Sequence, residues 1–251
     1  MKTRMTALAV VIISVASAGM ASAWTAYNDC GGLSGNPNVT SYQIPNGSVT
    51  IASGLLKDYA TGSSLGVTAT PSASSTATYW YGVPSFTHPA GSDAAIFTGK
   101  VDFNGSPEMN NATDWYQYDI SGLNPGRTYK FKTTFNRSGT GYENRKTNFT
   151  LSGATSWLNQ SSAGTTISGD GSSTIINVGN NALGLVACWS NINPGSDGIF
   201  TVKGVRADAG IKSYGFGYFE LQEVVPEPSS MLAMGGGLLS LAGFAIRRRT
   251  R

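Results

Sequence analysis

Between residues 115 and 135 the side chains alternate with a period of two. Tyr116, Tyr118 and Ile120 occupy every second position, with Trp115, Gln117 and Asp119 between them. After Gly122-Leu123-Asn124-Pro125-Gly126, Tyr129, Phe131, Thr133 and Phe135 share one face, and Lys130 and Lys132 take the other. This spacing predicts two β-strands, because a helix would scatter the same aromatics around its axis. The connection into Tyr129 has the form of a tyrosine corner, in which a Tyr hydroxyl bonds a backbone group upstream. Shorter apolar runs predict strands over 39–44, 48–52, 147–151, 174–178, 182–189, 199–203 and 214–224. Pro45-Asn46-Gly47 supplies a hairpin turn between the first two. Residues 63–77, rich in Ser, Thr and Ala, read as a loop or an edge, and 91–103 as a loop leading into a strand. No interior stretch sustains a helical period.

The two ends differ from this pattern. Lys2 and Arg4 precede an apolar run from Ala7 to Ala18, and Ala21-Ser22-Ala23 is a small-residue cleavage site. That is a secretory signal helix over residues 1–23, removed before Trp24 by signal peptidase. At the other end, Pro226 and Pro228 fix φ and remove two backbone donors, so no strand or helix runs through them. Ser229 to Ile246 carries no charge, and Arg247, Arg248 and Arg249 follow. As a helix this run rises about 27 Å, a short transmembrane segment stopped by arginines on the cytoplasmic side. A plain C-terminal anchor has the same parts, the Pro-Glu-Pro spacer excepted.

Charge and composition sharpen the middle. The formal net charge is +3, but the two ends carry all of it and leave residues 24–224 slightly negative. That span offers no electrostatic footprint for nucleic acid. Charged residues are only 12 % of the chain and there are 32 glycines. With aromatic and β-branched residues regularly placed, this composition fits many short strands joined by tight turns. The span of 24–224 is therefore expected to be one all-β domain, an antiparallel β-sandwich. An exported chain with just Cys30 and Cys188 is expected to pair them in a disulfide; two buried thiols acting as small apolar groups are the alternative.

Pro226-Glu227-Pro228, the apolar run and the arginine cluster, in that order over residues 225–251, resemble the PEP-CTERM sorting signal. The resemblance implies handling by exosortase, a membrane transpeptidase, and a destination at the cell surface or in an exopolysaccharide (biofilm) matrix after transient anchoring in the inner membrane. The corner at Tyr129 alone is similar to fibronectin type III domains, which are about half as long. Residues 25–29, 91–103, 122–148, 191–202 and 217–223 together resemble a β-sandwich domain recurring in exported PEP-CTERM proteins. That places the middle with jelly-roll, galactose-binding-like folds and implies a structural or carbohydrate-binding role without catalysis.

Candidate chemistry is sparse. His88 is the single histidine, too few for a supported triad and unsuited to zinc. A secreted polysaccharide hydrolase would need two facing acids; Asp93, Asp102, Asp114, Asp119 and Glu143 are the candidates, most of them in turn-like contexts. Calcium is the expected ion if any is bound, through Asp29, Asp93 and Asp197 with loop carbonyls. Tyr79, Trp80, Tyr81, Trp115 and Trp157 offer stacking surfaces for sugar, Trp80 and Trp115 first. Arg137 and Arg145, flanking Gly139-Thr140-Gly141, offer either loop-holding ion pairs or ligand contacts.

Overall fold

Alternating strands with one apolar side bury that side only by facing another sheet, and this is what the computed structural model of the protein contains. It describes residues 23–31, 35–43, 53–80, 91–103, 105–137, 141–208 and 212–225. The signal helix, the Asn46-Gly47 hairpin, His88 and the tail with Pro226, Glu227, Pro228 and Arg247 to Arg249 lie outside the described residues. The strands are β1 (Thr25–Asp29), β2 (Gly54–Lys57), β3 (Ser64–Ala73), β4 (Thr78–Trp80), β5 (Ser106–Met109), β6 (Trp115–Ser121), β7 (Thr128–Thr134) and β8 (Lys146–Ser152). They continue as β9 (Ser156–Asn159), β10 (Thr166–Ile167), β11 (Ser173–Asn177), β12 (Ala187–Asn193), β13 (Phe200–Arg206), β14 (Ser213–Tyr214) and β15 (Tyr218–Val224). One helix, α1 (Ser92–Phe97), interrupts them.

All named strand pairs are antiparallel. A five-stranded sheet runs β1-β15-β7-β12-β9 and a seven-stranded sheet β10-β11-β8-β13-β6-β3-β2, with a small sheet β14-β5-β4 at one end. The two large sheets share one aromatic core. Phe131 on β7 stacks on Phe219 of β15 at 5.2 Å between centroids and meets Phe200 of β13 edge-on at 5.9 Å. Tyr118 on β6 reaches across to Phe219 at 5.1 Å. Each such ring removed from water contributes about 1.5–3 kcal/mol. The tyrosine corner is present: the Asn124 amide donates to the Tyr129 hydroxyl at 2.8 Å, where the chain crosses from one sheet to the other. A bond of that kind adds about 1 kcal/mol.

Three sequence expectations are corrected. Residues 64–73, within the stretch read as a loop or edge, form the ten-residue strand β3, paired with β6 from Thr68 to Ala73. Its inward side chains are small, Val67, Ala69 and Pro71 among them, so they leave little apolar contrast with the Thr and Ser facing out. Among the described residues the β2 pairing reaches only to Ala69, so there Pro71 pairs with Tyr118 on β6 alone. Residues 91–103 hold α1 rather than a strand; α1 lies on the outer face of the five-stranded sheet, with Phe97 4.4 Å from the Tyr218 ring.

The third correction is the disulfide. Cys30 and Cys188 are both free and buried. Cys30 belongs to the core between the sheets, where the Asn28 amide donates to its sulfur at 3.5 Å. Cys188 lies opposite Lys132 in the β7–β12 pairing, between the core residues Ala187 and Trp189, so it points to the other side of the sheet. A sheet thus separates the two sulfurs, and no rotamer brings them together. Burial pushes both thiols above their ordinary range.

Candidate functional site

β7 runs from one end of the sandwich to the other, which gives the molecule two distinguishable ends. Thr128 pairs with Val224, the last strand residue before the tail, and Thr134 pairs with Tyr218 at the far end. Just beyond Thr134 the chain continues through Arg137, whose backbone N–H donates to Val178. Val178 and Gly179 in turn donate to the Arg145 carbonyl, so the segments that precede β8 and follow β11 meet there. Gly179 is required at this crossing, since a Cβ would overlap the Tyr142 carbonyl oxygen. The close approach lays the Tyr142 ring beneath two guanidinium groups, Arg137 at 3.9 Å and Arg145 at 4.2 Å from its centroid.

A second tyrosine comes from the small sheet. Tyr214 on β14 stands opposite Glu108 on β5, and its backbone carbonyl accepts a hydrogen bond from Thr147 on β8 at 2.5 Å. Its ring packs on Phe135, and its hydroxyl accepts hydrogen bonds from both Arg137 and Arg145. Burial raises its pKa, opposed by the two arginines. Glu108 pairs with Arg137 at 3.5 Å and with Lys212 at 3.0 Å. Arg137 and Arg145 are therefore neighbours, as their positions around residues 139–141 suggest. Tyr142 is visible in the sequence as an aromatic between two arginines. Tyr214, Glu108 and Lys212 are not, because β-pairing over long separations delivers them.

The second candidate surface is the outer face of the seven-stranded sheet. Register puts Ser72, Gln117, Lys203, Thr150 and Ser173 in one row across five strands. The next row holds Trp115, Val205, Asn148 and Ile175. Lys203 sits over the Trp115 indole, 4.5 Å from the centroid. Thr201 and Gln117 both donate to the Asp119 carboxylate, at 2.6 and 2.9 Å. Asn148 Oδ1 is enclosed in this face with no hydrogen-bond partner. Of the other aromatics, Trp157 packs against the core. The side chains of Tyr79 and Trp80, and residue Tyr81, lie outside the described residues.

Three of the carboxylates are engaged locally, Asp119 as above. Asp114 ties a turn, accepting from the Asn110 and Asn111 amides at 2.8 Å and from Ser74 and Thr76, and these bonds hold it below the ordinary range. Glu143 accepts the Gly141 amide on both oxygens at 2.9 Å. Asp93 is buried in α1 and accepts the Tyr218 hydroxyl at 2.6 Å. The calcium triad is not assembled: Asp197 lies in the turn beside Leu123, at the tail end of the sandwich, whereas Asp29 and Asp93 both adjoin Tyr218 at the far end. Among the described residues no three metal-ligating side chains cluster.

Asp29 and Asp102 do come together, and Asp29 accepts the amides of Gly31 and Asp102 at 2.9 Å each. Burial, aided by the Asp102 charge, pushes the Asp29 carboxyl up from 3.8 to about 7. The folded state then holds a proton that the unfolded chain releases, so stability falls as pH rises from about 4 to about 7 and levels off above. Asp29→Asn is expected to flatten that part of the profile. Denaturant midpoints of the two proteins at pH 5 and pH 8 check it; parallel pH profiles would refute the shift.

Among the described residues no helix is long and apolar enough to cross a membrane. No curated protein and no solved structure matches the chain. Residues 224–249, however, match the PEP-CTERM protein-sorting motif. That motif begins where β15 ends, so the all-β domain leads directly into the recognition signal of exosortase. The chain therefore carries, at residues 224–249, the PEP-CTERM motif, which is the signal for export and sorting by exosortase.

Proposed function

We propose that the exported chain is a non-enzymatic component of the cell surface or of an extracellular polysaccharide matrix, and that it binds carbohydrate across the outer face of its seven-stranded sheet. The observation that carries this reading is the row of polar side chains from Ser72 to Ser173, with Lys203 at its centre and Trp115 at its border. Sugars present hydroxyls along their edges and apolar C–H faces. A row of hydroxyl, amide and ammonium groups beside an indole complements both.

Strand order supports the jelly-roll reading of the fold. Numbered along the chain, β1, β6, β7, β8, β11, β12, β13 and β15 make eight strands. The first, eighth, third and sixth are neighbours in one sheet; the second, seventh, fourth and fifth are neighbours in the other. That is the arrangement of two interlocked Greek keys. Binding is favoured over hydrolysis because Asp114 and Glu143 bond their own turns and Asp119 is taken up by Thr201 and Gln117.

The test is a glycan array probed with mature protein. Retention of a defined set of saccharides is expected, weakened roughly fivefold by Trp115→Ala, about 1 kcal/mol. Retention of no glycan anywhere on the array would end this reading.

A further inference from the structure

We infer that the Arg137–Arg145–Tyr142 cluster, with Lys212, is a binding site for the carboxylate groups of an acidic polysaccharide. The inference rests on the carbohydrate reading above for the class of polymer, but it concerns a different surface and a different chemistry. Two guanidinium groups held against one tyrosine ring and one tyrosine hydroxyl repel each other unless an anion lies between or beside them. Glu108 does not supply that for both: it is divided between Arg137 at 3.5 Å and Lys212 at 3.0 Å. Arg145 is satisfied by a neutral phenol and two aromatic faces, and no carboxylate among the described residues lies within ion-pair reach of it. Its Nε is enclosed without a hydrogen-bond partner, so the protein does not saturate this guanidinium. The fold thus maintains excess positive charge at a fixed place, and half the Lys212 side chain is open to solvent beside it.

Geometry selects the ligand class. Guanidinium planes oriented by stacking present paired N–H donors, which match a planar carboxylate better than they match a hydroxyl. Uronic-acid residues repeat that carboxylate along a chain. The cluster also sits at the end of the sandwich remote from Val225, so a tail held in the membrane leaves it facing outward.

Mature protein is titrated calorimetrically with an oligogalacturonate, a neutral glucan oligomer and poly-glutamate, each at low and high salt. The oligogalacturonate is expected to bind, more weakly as salt rises. Arg145→Gln is expected to weaken it at least about tenfold, and Arg145→Lys less. Lys212→Glu, at an exposed position, reverses charge without touching the core and serves if Arg145→Gln lowers the thermal midpoint. Oligogalacturonate binding that is absent, or indifferent to both Arg145→Gln and Lys212→Glu, overturns the inference. So does poly-glutamate binding as tightly. Neutral glucan binding that Trp115→Ala abolishes bears on the sheet face alone, so the two readings fail separately.

Discussion

Replacing Pro226, Glu227 and Pro228 together by alanine is expected to leave the precursor inserted in the membrane and to stop its maturation. Insertion depends on the uncharged run from Ser229 to Ile246 and on the arginines beyond it, none of which change. The substitution instead removes the stiff spacer that separates β15 from that run. Alanine there lets helix propagate toward Val224 and erases the segment that distinguishes a sorting signal from an anchor. The effect is all or none, and blotting of membrane and surface fractions reads it. Mature-size protein at the surface in normal amounts would show that the spacer is not what the sorting enzyme recognises.

The largest expected loss of stability is from Glu220→Ala. Glu220 lies on β15 between Tyr27 on β1 and Lys132 on β7, on the face covered by α1. Its carboxylate accepts the Tyr27 hydroxyl at 2.8 Å and the Lys132 ammonium at 2.6 Å, while Lys100 donates to the same Tyr27 oxygen at 2.8 Å. Burial lowers the Lys100 proton affinity, and Glu220 opposes that shift. Without the carboxylate the largely buried Lys132 ammonium loses its ion-pair partner, at a cost of about 3–5 kcal/mol. Substituting Glu220 and Lys132 together by methionine should recover most of that, because an apolar pair of similar volume needs no compensation. Chemical denaturation measures both. A Glu220→Ala midpoint within about 1 kcal/mol of the parent would mean that water already reaches the network.

Where the fold was legible, residue size made it so. β6 and β7 announce themselves because tyrosine and phenylalanine alternate with lysine, glutamine and aspartate, and the corner at Tyr129 has its own spacing. β3 escapes because alanine and proline fill its inward positions, too small to contrast with threonine. α1 escapes because six residues are too few to show a helical period. The cysteines mislead for a different reason. Export and pair count say nothing about which side of a sheet a side chain takes, and the Ala187-Cys188-Trp189 alternation puts Cys188 on the wrong one. At the candidate sites, Arg137, Arg145 and Trp115 stand out by residue type. Glu108, Tyr214, Lys212 and Lys203 become partners only through register across strands that lie far apart in the chain.

The pairing of β1 with β15 has a thermodynamic consequence. Thr25 lies opposite Gln222, and the Glu223 amide donates to the Trp24 carbonyl, so both ends of the domain leave side by side, about one strand spacing apart. As long as a leader before Trp24 and the tail after Val225 sit in one bilayer, the membrane already holds together two points that folding must join. The unfolded chain then has less freedom to lose. Covalent closure of a loop of about two hundred residues is worth roughly 5 kcal/mol, an upper bound for a fluid tether. Folding is therefore easiest while both ends are held, and cutting either one returns entropy to the unfolded state. While both ends are so held, the bilayer would act as the cross-link that Cys30 and Cys188 do not form.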